Sequence, residues 1–393
     1  MKSMYLEASG TSDLSENGGS DGQASTTVDI AKTTTVGVPG RGLCVPVSAV
    51  PEWPAVALTH RVATPSGWKS VADLIVGDTV FDGDGNWQRV DRDTSVFRNL
   101  DCYSVTFDDG QQITAAASHT WTVETRNGHD SGFVELTVST TELARMKLFR
   151  RSAISVPVAE RLSPDLDLPV DPYLFGYWLG DGYSANGAIS VGRNDVEEVT
   201  TLLQDVLLSY EMLSSTYYDY NLAHCLNVRN VTKPSRGAVN QSLFQRLRTL
   251  GVLRNKHVPD VYLFAGTEQR RALLQGLVDS DGNVTNRKGQ VQFVNTNRRI
   301  LDGFVEIARS LGYKPSVRAH PTAGWLAVFQ VADDYPVARI QRKASRLVPG
   351  GRMASRRYIR SVLPVRSVHL KGIGIDTDAH QFQVEGGILA HCL

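Results

Sequence analysis

The chain has 393 residues with 41 basic and 41 acidic side chains, long enough for two or three domains, and its neutrality excludes a uniformly basic nucleic-acid coat while leaving room for local basic surface. Four cysteines, Cys44, Cys102, Cys225 and Cys392, lack CxxC spacing, which argues against a zinc site or a disulfide framework and suits a reducing compartment. No apolar run reaches membrane-spanning length and no hydrophobic signal core opens the chain, so the expectation is a protein neither secreted nor anchored. Residues 1–40 are rich in Ser, Thr, Gly and Asp, a composition that predicts disorder. Residues 41–56 are more apolar but interrupted by Pro46, Pro51 and Pro54, which suits an extended flank, so 1–56 form one N-terminal segment.

From Ala57 the texture changes to short strands at 61–68, 79–87 and 103–113, with Asp-Gly pairs between alternating apolar runs as hairpin signals. The same texture returns only near the C-terminus, at 361–368 and 380–389. We therefore expect one small all-β domain in two pieces, 57–160 and 361–393, with the intervening residues inserted at a surface loop.

The insertion contains two related stretches, Leu-Phe-Gly-Tyr-Trp-Leu-Gly-Asp-Gly at 174–182 and Ala-Leu-Leu-Gln-Gly-Leu-Val-Asp-Ser-Asp-Gly at 272–282. Each predicts a short apolar helix with small residues four apart, Gly176 and Gly180 in one, Gly276 and Ser280 in the other, baring a face for a second helix. Gly182 and Gly282 are expected to take the left-handed conformation just past each helix, which puts Asp181 and Asp281 at the negative end of the dipole. A carboxylate there costs about 0.3–1 kcal/mol, and a divalent cation against both would explain why the chain does this twice. One such run is ordinarily a buried helix entering a turn; two are harder to ascribe to chance. Each is followed by a strand and a helix, at 188–191 and 196–210 and again at 290–294 and 300–313, which reads as an internal duplication and a pseudo-twofold domain at 165–335.

The paired stretches resemble the motifs of LAGLIDADG (dodecapeptide, DOD-type) homing endonucleases. The resemblance implies that the two helices pack along the pseudo-twofold axis and that Asp181 and Asp281 hold metal ions, Mg²⁺, that cut both strands of a double-stranded DNA target; Asp279 is a weaker candidate. Asn255-Lys-His-Val-Pro259 is similar to the lysine block preceding the second motif, which carries a catalytic role onto Lys256, against the plain alternative of a solvated lysine. Independently, the alternating stretch 287–299 directs Arg287, Lys288, Gln290, Gln292 and Arg298 outward, with amide and guanidinium groups suited to base edges in a major groove. Residues 336–360, with Arg342, Lys343, Arg346, Arg352, Arg356 and Arg357 and no acid from 339 onward, read as a basic linker that is solvated or touches phosphates.

A β fold interrupted in this way resembles an intein, and its β part resembles the Hint-type splicing domain. Residues 62–78 are similar to the first splicing block and 113–121 to the second, with His119 in the place of the histidine that polarises the upstream amide. Residues 373–382 and 386–391 match the last two blocks, with His391 as the penultimate histidine that assists asparagine cyclisation. Trp121, two residues after His119, is similar to the tryptophan of class 3-like inteins, which dispense with the first nucleophile. The departures fall on the nucleophiles: Ala57 stands where the first residue is expected, Cys44 is too far upstream, Gly372 occupies the internal cysteine position, and Cys392 follows His391 in place of asparagine. Taken alone, each histidine is more often structural and Trp121 more often a core residue.

The expected fold class is multidomain: an all-β Hint-type splicing domain split by an inserted α+β two-repeat LAGLIDADG domain. The expected activity is metal-dependent double-strand DNA cleavage by a monomer with an internal pseudo-twofold, within a disabled splicing domain flanked in cis by a host extein. It is expected to be intracellular, in the cytoplasm of a bacterial or phage host. A DNA-binding or maturase-like module without cleavage, and a still-active autoprocessing intein, are the alternatives.

Overall fold

The computed structural model describes residues 53–126, 132–146, 148, 153–218, 223–231, 242–286, 289–322, 324–332 and 335–393. The N-terminal segment up to residue 52 and the proposed DNA contacts Arg287 and Lys288 lie outside the described residues. Among the described residues no helix is long and apolar enough to cross a membrane.

Strands from the two ends of the chain interleave. In an eight-stranded sheet, Arg356–Val365 lies between Cys102–Phe107 and Ser155–Pro157, and Val56–Ala57 pairs with Leu370–Lys371. In a second sheet Arg61–Thr64 pairs with Gln381–Val384. The period-2 alternation carries Val105, Ile113, Trp121 and Val123 into one core with Ile359, Ile373, Phe382 and Ile388. Each buried side chain of this size contributes about 1.5–3 kcal/mol. Hairpins form where the sequence signals them: Gly110 takes φ 83° in the turn joining Cys102–Phe107 to Gln112–Ala116, while the Asp109 carboxylate accepts from the Gln111 N–H at 3.1 Å.

The middle of the chain holds two helix–strand–helix units around a second core. Helix Pro172–Asp181 starts on Pro172 with Asp171 as its cap, accepting from the Leu174 N–H at 3.0 Å. Thr267–Ser280 is its counterpart. They cross backbone to backbone: a Cβ added to Gly176 would sit 3.2 Å from Gly276 Cα, and one added to Gly276 would sit 2.7 Å from Tyr177 N. The spaced small residues therefore do what their pattern predicts. Each helix leads into an antiparallel sheet, three-stranded after the first, in the order Ile189–Gly192, Ala223–Asn230, Met212–Tyr218, and four-stranded after the second, in the order Gly282–Val284, Gln290–Asn295, Trp325–Gln330, Ser316–Ala319. Helices Val196–Ser209 and Arg298–Ser310 close the two units over a continuous apolar core.

Two expectations are corrected. Gly182 has φ −79° and Gly282 has no positive φ. Glycine is needed at both because the chain doubles back: a Cβ at Gly182 would meet Trp178 Cγ at 2.6 Å, and one at Gly282 would meet the Val278 carbonyl oxygen at 2.6 Å. The basic run is not a solvated linker either. Arg357 is wholly buried, donating to Asp109 at 3.0 Å and to the carbonyls of Gly386 and Gly387. Arg352 pairs with Glu124 and lies over the Phe133 ring, and Arg356 donates to Ser155. A buried guanidinium tolerates burial only when its donors are met, and here they tie the C-terminal strands to the rest of the β half.

Candidate active site

The two motif helices deliver Asp181 and Asp281 to one edge of the molecule, Asp181 as the last helical residue and Asp281 as the cap residue. Both are half-buried. Burial, then the nearby Asp281 carboxylate, pushes Asp181 up to about 6. Burial also raises Asp281, opposed by Lys256, Lys343 and a hydrogen bond from Asn295. Two like charges withdrawn from water are each easier to protonate.

Lys256 reaches this edge as the sequence reading proposed, yet its ammonium does not touch a carboxylate. Nζ donates to the carbonyls of Trp178 at 2.8 Å, Leu179 at 3.0 Å and Gly182 at 2.6 Å, and lies 4.8 Å from the Trp178 ring centroid. It thus closes the carbonyl end of the first motif helix, where the dipole favours a cation. Lys343, read from sequence as part of the basic linker, does the same for the second helix: only 3% exposed, it donates to Val278 at 2.8 Å, Asp279 at 2.7 Å and Ser280 at 3.3 Å. Burial draws both lysines down to about 8 against the pull of the aspartates. The clue to Lys343 was the duplication, since a lysine serving the first helix calls for a mate on the second.

Neighbouring polar groups brace these pairs across the pseudo-twofold. Arg342 donates to both oxygens of Asp195, at 2.6 and 2.5 Å, anchoring the Lys343 segment to the first unit. Asn297 Nδ2 donates to the Lys256 carbonyl at 2.8 Å, and Asn295 Nδ2 donates to Asp281 at 2.9 Å. Asp279, the weaker candidate, is 2% exposed and satisfied by Tyr173 Oη at 2.9 Å and the Arg339 and Ile340 amides at 2.8 and 3.2 Å. Its carboxylate holds the chain after the second sheet and does not join the edge where Asp281 lies.

On the strand Gln290–Asn295 the alternation holds: Val291 and Phe293 are buried while Gln290 and Gln292 are half-exposed on the other face. Arg298 is exposed at the start of its helix, 2.7 Å from Asp302 and stacked on Trp325 at 4.5 Å. A surface pair of this kind is worth about 0.3–0.5 kcal/mol and exchanges readily for another anion.

The splicing-block residues meet elsewhere, in the β half. His119 is completely buried, 4.9 Å from Trp121 in an edge-on contact, and neither ring nitrogen has a hydrogen-bond partner among the described residues. Burial, with His391 nearby, takes it down to about 3. Trp121 Nε1 donates to Thr140 Oγ1 at 2.9 Å, which donates to the His119 carbonyl at 3.0 Å. His391 Nε2 lies 2.8 Å from Thr122 Oγ1 and 3.1 Å from the Thr122 amide. A Cβ added to Gly372 would fall 2.6 Å from the Pro54 carbonyl oxygen, 3.1 Å from Leu393 Cδ2 and 3.4 Å from Thr94 Cγ2. Both ends of the β half therefore converge on a residue with no side chain, and the backbone it faces is Pro54 and not Ala57.

The match to known proteins follows this division. A LAGLIDADG-like domain model matches residues 268–346, a span that takes in Asp281 and Lys343. The replicative DNA helicase DnaB of Mycobacterium intracellulare is 32% identical over 358 residues, covering 84% of this chain and 56% of the helicase. The chain contains a LAGLIDADG-like domain. It spans about half the length of the Mycobacterium intracellulare relative; DnaB of Mycobacterium leprae is 39% identical over 67 residues, 17% of this chain and 11% of the helicase. Among solved structures, the MchDnaB-1 intein is 13% identical at a TM-score of 0.27, covering 86% of this chain and 98% of that chain. I-DmoI in complex with DNA and Ca is 14% identical at a TM-score of 0.33, covering 45% and 95%.

Proposed function

We propose that the chain is an intein carrying a site-specific endonuclease that makes metal-dependent double-strand breaks in DNA, inserted at 165–335 in one β splicing fold built from 57–160 and 361–393. The observation that carries this is the meeting of Asp181 and Asp281 at one edge, each on a helix whose carbonyl end is closed by a lysine. The donor set fits Mg²⁺: the edge offers two carboxylates, hard oxygen donors of the kind taken by a cation that keeps several waters and shares a phosphate. Asp181 and Asp281 would hold it; bound there, it would activate water and stabilise the leaving 3′ oxygen. Lys256 and Lys343 keep both carboxylates in place by fixing the helix ends and add positive charge facing a phosphate. Gln290, Gln292 and Arg298, with Arg287 and Lys288, read base edges and backbone of double-stranded DNA. One monomer, with its two units, presents both acids at once.

The splicing half is disabled on this reading. Gly372 stands where a thiol would face the Pro54 carbonyl, so the bond at issue is Pro54–Ala55, and no nucleophile is present to attack it. Cys392 replaces the cyclising asparagine, and its thiol donates to the Ile375 carbonyl at 3.7 Å. His119, Trp121 and His391 keep their places without a reaction to serve. The host in cis is a DnaB-type replicative helicase, as the names of the two relatives suggest.

The test combines intact mass after expression with Mg²⁺-dependent cleavage of DNA carrying the uninterrupted insertion site, beside Asp181→Asn and Asp281→Asn. Full-length mass, cut DNA and loss of cutting in both variants are expected. DNA bound but uncut by the unaltered chain would make it a maturase-like binding module, and fragmented mass an autoprocessing intein.

A further inference from the structure

The two halves of the acid edge differ in one respect. Asp281 Oδ2 is gripped by the Asn295 amide at 2.9 Å, and Asn295 Oδ1 in turn accepts from the Asn297 N–H at 2.8 Å, while Asn297 Nδ2 holds the Lys256 carbonyl at 2.8 Å. A continuous hydrogen-bond chain therefore runs from the second carboxylate to the lysine that closes the first helix. In the first unit Gly182 pairs with Ile189 as Gly282 pairs with Phe293 in the second, so the residue standing where Asn295 does is Val191. Val191 is buried and apolar, and among the described residues none donates a hydrogen bond to Asp181.

We propose that Asn295 is a positioning residue that aligns Asp281 for its cation, and that its absence from the first unit makes the two strand-cutting centres unequal. The proposal rests on the nuclease reading above. With Oδ2 fixed by an amide, Oδ1 of Asp281 is presented in one orientation, whereas Asp181 must be oriented each time a cation arrives. Groups that orient a ligand in this way are worth about 10–100-fold in metal affinity or activity. The centre at Asp281 therefore cuts its strand first, and nicked DNA precedes the double-strand break.

The experiment follows each DNA strand separately on a supercoiled plasmid bearing the target, and titrates the DNA-free full chain with Mn²⁺, counting free ion by electron paramagnetic resonance. The unaltered chain should cut one strand about tenfold faster and bind one Mn²⁺ more tightly than the next. Asn295→Ala should slow the faster strand by about 10–100-fold, leave the slower strand within about twofold, and weaken the tighter Mn²⁺ site. Asn295→Leu, which keeps the volume and removes the amide, should have the same effect and carries the test if Asn295→Ala fails to fold. Unchanged strand bias with unchanged Mn²⁺ binding in Asn295→Ala, or in Asn295→Leu, would overturn the proposal. Absence of cutting by the unaltered chain would instead sink the nuclease reading, and the Mn²⁺ titrations would still decide the role of Asn295.

Discussion

The acid edge and the histidine cluster of the β half are both polar groups drawn out of water in the same chain, and they have been treated differently by their surroundings. At the half-buried acid edge all the polar groups but Asp181 are answered: two lysines by helix carbonyls, Asp195 by Arg342, Asp281 by Asn295. In the β half His119 is fully buried and, among the described residues, neither ring nitrogen has a hydrogen-bond partner, while Gly372 turns no side chain toward the Pro54 carbonyl. A buried polar group without a partner costs about 1–3 kcal/mol, a cost that persists when a reaction is lost if the scaffold around it is sound. Here it is sound, because Trp121 and Thr140 are held by their own hydrogen bonds and the core beneath them is apolar.

The largest effect should come from breaking the contact on which the acid edge depends. Gly276→Leu forces a side chain into the backbone around Tyr177 and is expected to destabilise the duplicated half by about 3 kcal/mol or more, seen in urea unfolding as an early transition while the β half melts as before. Next, Lys343→Met strips the donor from three carbonyls at the end of the second motif helix. It should cost about 1–3 kcal/mol and lower cleavage to within a few-fold of what Lys256→Met does; a dispensable linker lysine would change neither.

The splicing side can be probed by restoring what is missing. Gly372→Cys places a thiol against the Pro54 carbonyl; attack forms a thioester between the Pro54 carbon and the Cys thiol and releases the Ala55 amine, which takes the proton, with no change of mass. Water then hydrolyses the thioester, freeing residues 1–54 as a carboxylic acid and restoring the thiol, so intact-mass analysis should show residues 1–54 and 55–393 as two chains; full-length protein alone would show that the loss extends beyond one residue. The smallest effect is on pH. His119 is held at about 3, below its ordinary 6.5, so the unfolded chain binds the extra proton between those values and the stability His119 contributes above pH 6.5 is lost as pH falls toward 3. From pH 7 to 6 this amounts to about 0.7 kcal/mol, and His391, held at about 4, adds a similar loss, so the drop in Tm should shrink, not vanish, in His119→Gln.

The paired helices, the small-residue faces and the convergence of Asp181 and Asp281 were all readable in the chain, because spacing of four and a terminal Asp-Gly are local patterns and the duplication repeats them. The same local reading went wrong over Gly182 and Gly282. An Asp-Gly end looks alike whether the glycine serves a positive φ or, as here, a close approach to Trp178 and Val278. The basic run misled for a related reason, since counting charges says nothing of what lies opposite them. Lys343 and Arg357 are buried because carbonyls and Asp109, far away in sequence, come to meet them.

By itself, then, the sequence determined the elements, their duplication, the placing of the acids at two helix ends and the absence of a nucleophile at Gly372. These follow from periodicity and residue identity. Only the tertiary structure decided which lysines close the helices, that Asn295 holds one aspartate while Val191 at the matching place offers the other nothing, and that Gly372 faces Pro54 and not Ala57. Each of these is a contact between residues far apart in the chain, and such contacts are set by how the two cores pack.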